Sequence, residues 1–286
     1  MDDNVFSEIK NCLGTPFYEN DFGVLYNTDC HEAIKLLANA GIHIDATITS
    51  PPYNIGKEYE TIQDNELYLS WLTNIMSDVY DITSPSGSLL LNLGYFSVPK
   101  HGRAVPISYL FWDRLKFFLQ QEIVWNYGAG VACKNYLSPR NEKILWYVKD
   151  SDNYIFNLDD IRDPDVKYPN QKKNGKLRCN TLGKNPSDVW QIAKVTSGAS
   201  RSSKERTTHP AQFPEDLISR LVKGFTNKSD LILEPFSGSG TVAVVAMKYG
   251  RKFLAFEIDS KYCTLSAKRI QSEYNNLQSD LFFECS

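Results

Sequence analysis

Four consecutive residues combine hydrogen-bond acceptors, two prolines and an aromatic ring in one short turn: Ser50, Pro51, Pro52 and Tyr53. The prolines fix the backbone φ angle, and they therefore present the hydroxyl of Ser50 and the carbonyl of Pro51 at a defined point. The ring of Tyr53 offers a flat surface beside these acceptors. Such a set suits a planar heterocycle with an exocyclic amine, because acceptors that bind the amine hydrogens favour a nitrogen with a directed lone pair. Taken alone, the same residues would also suit a rigid structural turn around a core tyrosine.

A second set of residues, near the end of the chain, has the composition of a nucleoside-binding turn. An apolar run ends at Glu234 and is followed, after a proline, by Phe236, Ser237, Gly238, Ser239, Gly240 and Thr241. The two glycines permit positive φ angles and a close approach of the backbone to a ligand. The helix expected after them offers unpaired N–H groups in its first turn. Glu257 ends the next apolar run and can accept hydrogen bonds from a ribose diol, so the unit is interpreted as a nucleoside-cofactor site.

Three cofactors compete for this glycine turn. A phosphate loop of the Walker type requires Lys and then Ser or Thr after its last glycine, whereas Thr241 and Val242 follow Gly240, so that alternative is excluded. A dinucleotide such as NAD is compatible, because Ala243 completes the Gly-x-Gly-x-x-Ala spacing. S-adenosylmethionine is also compatible, because the carboxylate of Glu234 can hold its cationic amino-acid part. A glycine turn without any ligand is the remaining alternative.

The elements that would position these turns alternate between strands and helices. In the first half of the chain, the apolar patterns predict strands at 22–26, 44–48, 88–93, 122–125 and 143–148 and helices at 33–40, 66–83 and 108–119. In the last third, they predict helices at 213–224, 240–250 and 260–274 and strands at 230–235 and 252–258. This alternation is typical of an α/β fold with a largely parallel sheet. Two strands are too few for a separate sheet, so the C-terminal strands should pair with the N-terminal ones, which brings residues 50–53 beside residues 236–241.

Three motifs, in this order along the chain, resemble those of the DNA amino-methyltransferases that use S-adenosylmethionine. The turn at 49–53 resembles their catalytic motif, the stretch 208–214 a segment that wraps the cofactor, and the stretch 233–241 their cofactor motif. The resemblance covers residues 22–149 and 186–274. A catalytic motif first, an insert next and the cofactor motif last is the order of the beta class. The resemblance implies a Rossmann-like methyltransferase fold with a mostly parallel, doubly wound sheet, a circularly permuted motif order and a loop-rich target-recognition insert.

The resemblance also assigns roles to individual residues. Ser50 and the carbonyl of Pro51 would accept hydrogen bonds from the target amine, on a turn that Pro52 helps to stiffen. Tyr53 would stack on a base flipped out of the duplex, which is required because the amine is otherwise engaged in a base pair. The residues expected to bind the cofactor are Asp29 near the adenine, Glu234, Phe236, Ser237, Gly238, Ser239, Gly240 and Thr241 around it, Glu257 at the ribose, and His209, Pro210 and Phe213 closing the pocket. No metal is implied, because the sulfonium of the cofactor already supplies a good leaving group.

The predicted function is site-specific methylation of the exocyclic N4 amine of a cytosine in double-stranded DNA. The choice of base depends on Ser50, since similar enzymes with Ser at this position are mostly cytosine-N4 enzymes and those with Asp are mostly adenine-N6 enzymes. Adenine N6 is therefore the alternative. An NAD-dependent oxidoreductase is a distant alternative that leaves residues 50–53 unexplained, and a non-catalytic DNA-binding module would not need them intact. The expected setting is a restriction–modification system, with a cognate restriction endonuclease as the functional partner.

The net charge at first argues against a nucleic-acid partner, because the 286 residues carry a formal charge of −3. The charge is unevenly distributed, however. Residues 167–206 hold ten basic and two acidic residues, a net of +8, which leaves −11 for the rest of the chain. A basic insert on an acidic body can attract the phosphate backbone at one face. The residues expected to contact DNA are Lys172, Lys173, Lys176, Arg178, Arg201 and Arg206, with a solvated basic loop as the alternative.

These patterns divide the chain into residues 1–149 with the catalytic motif, a basic insert at 150–206, and residues 207–286 with the cofactor motif. Six cysteines without a Cys-x-x-Cys pair argue against a zinc site or a disulfide framework. No apolar run approaches the roughly 20 residues that span a bilayer, and the first residues do not resemble a secretory leader, so a cytoplasmic location is expected. Dimers occur in similar enzymes, and a homodimer is an open expectation here.

Overall fold

The computed structural model describes residues 4–130, 132–196 and 203–284. Within them, the strands are β1 (Tyr18–Asn20), β2 (Gly23–Asn27), β3 (Ile44–Thr49), β4 (Thr83–Leu93), β5 (Tyr95–Val98), β6 (Gly102–Pro106), β7 (Phe118–Asn126), β8 (Asn141–Val148), β9 (Lys172–Lys173), β10 (Lys176–Leu177), β11 (Val189–Gln191), β12 (Leu231–Glu234) and β13 (Lys252–Glu257). The helices are α1 (Asn4–Leu13), α2 (Cys30–Asn39), α3 (Asn65–Ile82), α4 (Ser108–Phe111), α5 (Glu215–Phe225), α6 (Thr241–Lys248) and α7 (Ser260–Glu284), with a 3-10 turn at Leu158–Ile161.

A nine-stranded sheet forms the centre of the described chain, in the order β1-β2-β13-β12-β3-β4-β8-β7-β11. The five neighbouring strands β2, β13, β12, β3 and β4 are all parallel to one another. Strand β8 runs antiparallel to β4 and β7, β1 runs antiparallel to β2, and β11 is parallel to β7. The predicted α/β fold with a mostly parallel sheet is confirmed.

Helices cover both faces of this sheet. Helices α1, α2 and α3 pack with one set of buried residues, and α5, α6 and α7 pack with a second set. Successive side chains of β12 alternate between the two sets, since Leu231 and Leu233 belong to the first and Ile232 to the second. A strand that is buried on both sides has this uninterrupted apolar sequence. The sheet is therefore doubly wound, as predicted.

The C-terminal strands enter the sheet beside the N-terminal ones. Strand β12 pairs in parallel with β3, so that Leu233 lies opposite Thr47, and β13 lies on the other side of β12. The helix that follows β3 covers one face and the helix that follows β12 covers the other. Such a divergence opens a crevice at the carboxyl ends of the two strands, where open α/β sheets bind ligands. The predicted proximity of the two turns is confirmed.

The prediction of one helix at 108–119 is wrong beyond Phe111. Helix α4 ends there, and Phe118 already begins β7, where it pairs with Val148 of β8. The side chains of Phe111 and Phe117 both reach the core, and strand pairing from Phe118 onward overrides the predicted continuation of the helix. The hairpin of β5 and β6, together with α1, was not predicted either.

The described residues between 150 and 206 contain little regular structure, as their composition suggests, but one segment of them joins the sheet. The short strands β9 and β10 form a separate hairpin, and β11 adds an edge strand along β7, with Trp190 opposite Trp125. Among the described residues, no helix has the combined length and apolar character needed to cross a membrane.

Candidate active site

The two predicted turns meet in one cavity at the carboxyl ends of β3 and β12. The cavity has a volume of about 1210 Å³, which exceeds the ~300–1,000 Å³ typical of a pocket for one small ligand. The predicted residues that line it are Asp29, Ser50, Pro51, Pro52, Tyr53, His209, Pro210, Phe213, Glu234, Phe236, Ser237, Gly238, Ser239, Thr241 and Glu257. Gly240 serves the same turn through its backbone, as the N-cap of α6.

The turn at 50–53 is held in place by a carboxylate that sequence reasoning missed. Oε1 of Glu60 accepts a hydrogen bond of 2.6 Å from the backbone N–H of Tyr53. Its other oxygen accepts from the N–H groups of Ile55 and Lys57, at 2.9 and 3.1 Å. Asn54, between them, has a φ of 60°, a conformation that asparagine tolerates better than most residues. One side chain therefore fixes the exit of the chain from the turn.

The ring of Tyr53 packs against backbone at Gly94. A Cβ at Gly94 would lie 2.6 Å from Cε2 of Tyr53, so only glycine fits under the ring. Burial raises the pKa of the Tyr53 phenol well above its ordinary range, which keeps the hydroxyl protonated at neutral pH. The same residue lines the cavity in which a flipped base is expected to stack.

Five polar side chains, the Tyr53 cluster, lie together beside the turn at 50–53: Ser50, Tyr53, Asn92, Glu142 and Lys194. The Tyr53 hydroxyl is 2.7 Å from Oγ of Ser50, 2.6 Å from Nδ2 of Asn92 and 3.0 Å from Oε2 of Glu142. Nδ2 of Asn92 also donates to the same Glu142 oxygen at 2.7 Å. The ammonium of Lys194 lies 2.7 Å from the other oxygen of this carboxylate. Sequence reasoning missed the last three members, which come from β4, β8 and the segment after β11.

The glycine turn has the backbone that its composition predicts. Gly238 and Gly240 adopt φ angles of 54° and 71°. The carboxylate of Glu257 accepts hydrogen bonds from the N–H of Gly238 at 2.7 Å and from the N–H of Asp259 at 2.9 Å. Burial raises the pKa of Glu257. This acid therefore shapes the turn and also faces the cavity.

Glu234 is a buried acid at the floor of the site, with 3% of its surface exposed. The hydroxyl of Ser237 donates to its carboxylate at 3.3 Å. Burial raises the pKa of Glu234 well above its ordinary range. A cationic ligand group in the cavity would favour the ionised form of such a carboxyl group.

His209 closes the cavity over the glycine turn. A Cβ at Gly238 would lie 2.9 Å from the imidazole, so the ring and the turn are in close contact. The imidazole stacks on Tyr59 with a centroid distance of 5.8 Å and meets Tyr262 edge-on at 4.5 Å. Burial lowers the pKa of His209 to about 4, so the ring is neutral at neutral pH. The two tyrosines were not predicted, because nothing in their local sequence marks them.

Asp29 has a structural role in addition to its place in the cavity wall. Its Oδ1 accepts hydrogen bonds from the N–H of His31 at 2.7 Å and from the N–H of Glu32 at 3.4 Å, and it thereby caps α2. The carboxylate is therefore held at the end of β2, on the cavity side.

The described residues among those predicted to contact DNA are not among the residues that line the cavity. Lys172 and Lys173 lie on β9 and Lys176 on β10, and the two strands are joined by Asn174 and Gly175, which both have positive φ angles. An Asn-Gly pair in this conformation is a preferred hairpin turn. The hairpin residues 172–178 are exposed. Arg178, at its base, donates to Oε1 of Gln171 at 3.3 Å.

The other two predicted arginines belong to a separate part of the chain. Arg206 is exposed, and its N–H donates to the carbonyl of Ser203 at 3.2 Å. Arg201 lies outside the described residues. Within the described part of the chain, no cluster of three or more Cys, His, Asp or Glu side chains could hold a metal ion.

Gly240→Ala is expected to destabilise the protein more than an ordinary left-handed glycine substitution does. The added Cβ would lie 2.4 Å from Oγ and 3.3 Å from Cβ of Ser266, a residue with 0% exposure. Overpacking of this kind costs about 1–3 kcal/mol in addition to the backbone strain of about 1–2 kcal/mol. The free energy of unfolding in urea is the measurement.

Gly250→Ala is the matched control, because Gly250 ends the same helix with a φ of 69° and has nothing within 4 Å of an added Cβ. Its loss of unfolding free energy should reflect the backbone strain of an alanine at positive φ and no overpacking. The addition of Ser266→Ala to Gly240→Ala should recover part of the difference. Equal destabilisation at the two glycines would contradict the packing argument.

Comparison with known proteins identifies relatives over most of the chain. Residues 44–268 match the N6_N4_Mtase family model, described as DNA methylase. The chain is 53% identical over 275 residues to the type II methyltransferase M.ScaI of Streptomyces caespitosus, a match that covers 96% of this chain and 90% of the relative. It is 30% identical over 271 residues to the DNA adenine methyltransferase YhdJ of Escherichia coli, a match that covers 91% of this chain and 86% of the relative.

Two solved structures share the fold. The PvuII DNA methyltransferase, described as cytosine-N4-specific, superposes with a TM-score of 0.67 at 20% identity and covers 91% of this chain and 94% of its own. The M1.HpyAVI–SAM complex superposes with a TM-score of 0.57 at 23% identity, with coverages of 87% and 98%. Together with the family match, these findings confirm the resemblance inferred from the three motifs. The chain therefore belongs to the N6_N4_Mtase family of DNA methylases.

Proposed function

We propose that this DNA methyltransferase transfers a methyl group from S-adenosylmethionine to the exocyclic N4 amine of a cytosine flipped out of duplex DNA. The observation that carries the proposal is the shared cavity: the turn at 50–53 and the glycine turn at 237–241 line the same space, at the ends of neighbouring parallel strands. A donor and an acceptor held in one site react far faster than the same groups in solution.

The donor set of the cavity fits S-adenosylmethionine. Glu257 would bind the ribose hydroxyls, and Glu234 would bind the cationic amino-acid part. Phe236 and the ring of His209 line the cavity beside the backbone of the glycine turn. The bound cofactor supplies a methyl group on a sulfonium, which is a good leaving group. NAD would use the same turn but would leave the Tyr53 cluster without a role.

The catalytic turn would hold the target amine. The hydroxyl of Ser50 and the carbonyl of Pro51 would accept its hydrogens and thereby direct the nitrogen lone pair toward the methyl donor. The ring of Tyr53 would support the base. Because the amine is otherwise paired inside the duplex, the base must leave the stack to reach this position.

Cytosine N4 is the proposed target because Ser50 occupies the first position of the catalytic turn. The description of the PvuII structure as cytosine-N4-specific agrees with this choice. At 20% sequence identity, that structure shares the fold with this chain and does not by itself establish the target base. The name of the YhdJ relative keeps adenine N6 as the alternative. The type II methyltransferases among the relatives support a restriction–modification setting, in which a cognate endonuclease would be the functional partner.

The test is methylation of a mixed set of duplex DNAs with isotope-labelled S-adenosylmethionine, followed by digestion to nucleosides and mass spectrometry. The expected product is labelled N4-methylcytosine at one sequence context. Labelled N6-methyladenine alone would overturn the choice of base and leave the methyl transfer intact. No labelled nucleoside from any DNA would overturn the proposed activity.

The exposed lysine hairpin is proposed to bind the phosphate backbone. Three exposed lysines on one two-stranded hairpin concentrate positive charge there, whereas the rest of the chain outside residues 167–206 is acidic. Substitution of Lys172, Lys173 and Lys176 by glutamine is expected to weaken DNA binding at low salt. The slope of log affinity against log salt should flatten by about 0.9 for each phosphate that the hairpin no longer neutralises. Titration of a fluorescent duplex at several salt concentrations measures both quantities.

A triple variant at exposed lysines elsewhere is the control. Lys35, Lys228 and Lys268 are exposed and lie on α2, before β12 and on α7. Their substitution by glutamine changes the net charge equally and should leave the slope close to that of the parent protein. Equal slopes for both triple variants would contradict the proposal that the lysine hairpin binds the phosphate backbone.

A further inference from the structure

The directions of the hydrogen bonds in the Tyr53 cluster can be assigned from the chemistry of its members. A phenol has one hydrogen to donate and two lone pairs, whereas a carboxylate only accepts. The Tyr53 hydroxyl has three side-chain neighbours at 3.0 Å or less: Ser50, Asn92 and Glu142. The backbone carbonyl of Asn92 is a further and longer acceptor at 3.3 Å. Tyr53 has one hydrogen, so it can donate only one of these bonds.

The bond between Tyr53 and Glu142 fixes the first direction. The two oxygens lie 3.0 Å apart, and they would repel each other without a hydrogen between them. Because Glu142 only accepts, the hydrogen comes from Tyr53. The amide of Asn92 agrees with this direction, since its nitrogen lies 2.7 Å from the same carboxylate oxygen and 2.6 Å from the phenol oxygen. Only an NH₂ group can serve both neighbours, so Asn92 donates to each.

The direction at Ser50 follows from these two bonds. Tyr53 donates its one hydrogen to Glu142, so the bond of 2.7 Å between the two hydroxyls is donated by Ser50. Both lone pairs of the serine oxygen are then left for the cavity. A serine hydroxyl can donate or accept a hydrogen bond, whereas an aspartate carboxylate only accepts. The hydroxyl can bind the N–H of the target amine only when it acts as the acceptor.

Lys194 occupies the other oxygen of Glu142, which is 9% exposed. The ammonium of Lys194 lies 2.7 Å from Oε1 of Glu142 and 3.7 Å from the centroid of the Tyr127 ring. Oε1 therefore accepts from Lys194, and Oε2 accepts from Tyr53 and Asn92.

We propose that Glu142 is a positioning residue that acts through Tyr53 to orient the Ser50 hydroxyl, so that Ser50 accepts from the target amine. The proposal rests on the proposed methyl transfer and adds a residue on β8 to it. Glu142 does not touch the substrate in this role. It fixes the direction of a chain of two hydrogen bonds that ends at the cavity.

Glu142→Gln tests this direction with little change in volume. The amide oxygen would stay with Lys194, and the amide NH₂ would face Tyr53 and donate to it. Tyr53 would then donate to Ser50 and reverse the chain. The kcat for DNA methylation is expected to fall by at least about tenfold, as for a misdirected hydrogen bond, while the Kd for S-adenosylmethionine stays close to wild type. The melting temperature is expected to fall, because the Nδ2 of Asn92 would lose the carboxylate oxygen to which it donates.

Tyr53→Phe provides the decisive background, because it removes the hydroxyl that links Glu142 to Ser50 by hydrogen bonds. In that background the addition of Glu142→Gln should lower kcat by less than about twofold, since coupled residues are not additive. Glu122→Gln is the matched control. Glu122 lies on the neighbouring strand β7, near Lys143 at 3.8 Å, outside the residues that line the cavity, and its substitution should leave kcat unchanged.

Three outcomes would overturn the proposal. They are wild-type kcat in Glu142→Gln, the same fold reduction from Glu142→Gln with and without Tyr53→Phe, and an equal reduction in Glu122→Gln. A wild-type protein that methylates no DNA would instead overturn the proposed function, so the two failures are distinguishable.

Discussion

Ser50→Ala is expected to lower the turnover number for DNA methylation by roughly 100-fold or more, while S-adenosylmethionine still binds. The substitution removes the acceptor that directs the amine lone pair, and this acceptor is needed most when the new bond forms. It also removes the 2.7 Å partner of the Tyr53 hydroxyl without opening the glycine turn. Single-turnover methylation with label from the cofactor, together with calorimetry of cofactor binding, measures both effects.

Ser77→Ala is the control for this prediction. Ser77 lies on α3, where its hydroxyl donates to the carbonyl of Thr73 at 2.7 Å, and it does not line the cavity. Its substitution should leave turnover at the wild-type level. A parallel fall of cofactor affinity in Ser50→Ala would mean that the turn is a structural element, and full activity would contradict its role in catalysis.

Glu257→Gln is expected to weaken S-adenosylmethionine binding by about 10- to 100-fold, which corresponds to the removal of one or two charge-assisted hydrogen bonds. The carboxylate would bind the ribose, and it already accepts from the N–H groups of Gly238 and Asp259. A glutamine has one acceptor end, so its NH₂ group would face one of these two donors. The glycine turn would shift, and the ribose would be left without a charged acceptor.

Glu32→Gln is the matched substitution at an exposed position. Its side chain is 75% exposed, and it lies 3.8 Å from Lys35 on α2. Calorimetry should show no change in cofactor affinity for this variant. If Glu257→Gln also kept the wild-type affinity, the ribose assignment would be wrong, whereas a failure to fold would appear as a lowered melting temperature in the same sample.

Sequence reasoning predicted the sheet well where strands are buried on both faces. The run from Leu231 to Leu233 is apolar without interruption because helices cover both sides of β12. Its pairing with an N-terminal strand was predicted because the two C-terminal strands are too few to form a separate sheet, and β12 indeed pairs with β3. The failure at 108–119 has the opposite cause. Phe111 reaches the core from the end of α4 and Phe117 from the bend before β7, and pairing of β7 with β8 decided the outcome.

Some residues of the candidate site are marked by their local sequence, whereas others reach the site only through the fold. The turn at 50–53 and the glycines at 238 and 240 carry their constraints in their own sequence, as fixed or positive φ angles. Glu142 and Lys194 carry no such signal. They lie 89 and 141 positions beyond Tyr53, and only the order of β4, β8 and β7 brings them behind it.

A crystal structure of the protein with S-adenosylmethionine tests the central claim most directly, because that claim concerns one cavity shared by donor and acceptor. The predicted result is a cofactor whose ribose meets Glu257 and whose methyl group faces the hydroxyl of Ser50 and the carbonyl of Pro51. A cofactor bound elsewhere, or one whose methyl group faces away from residues 50 and 51, would contradict the shared site.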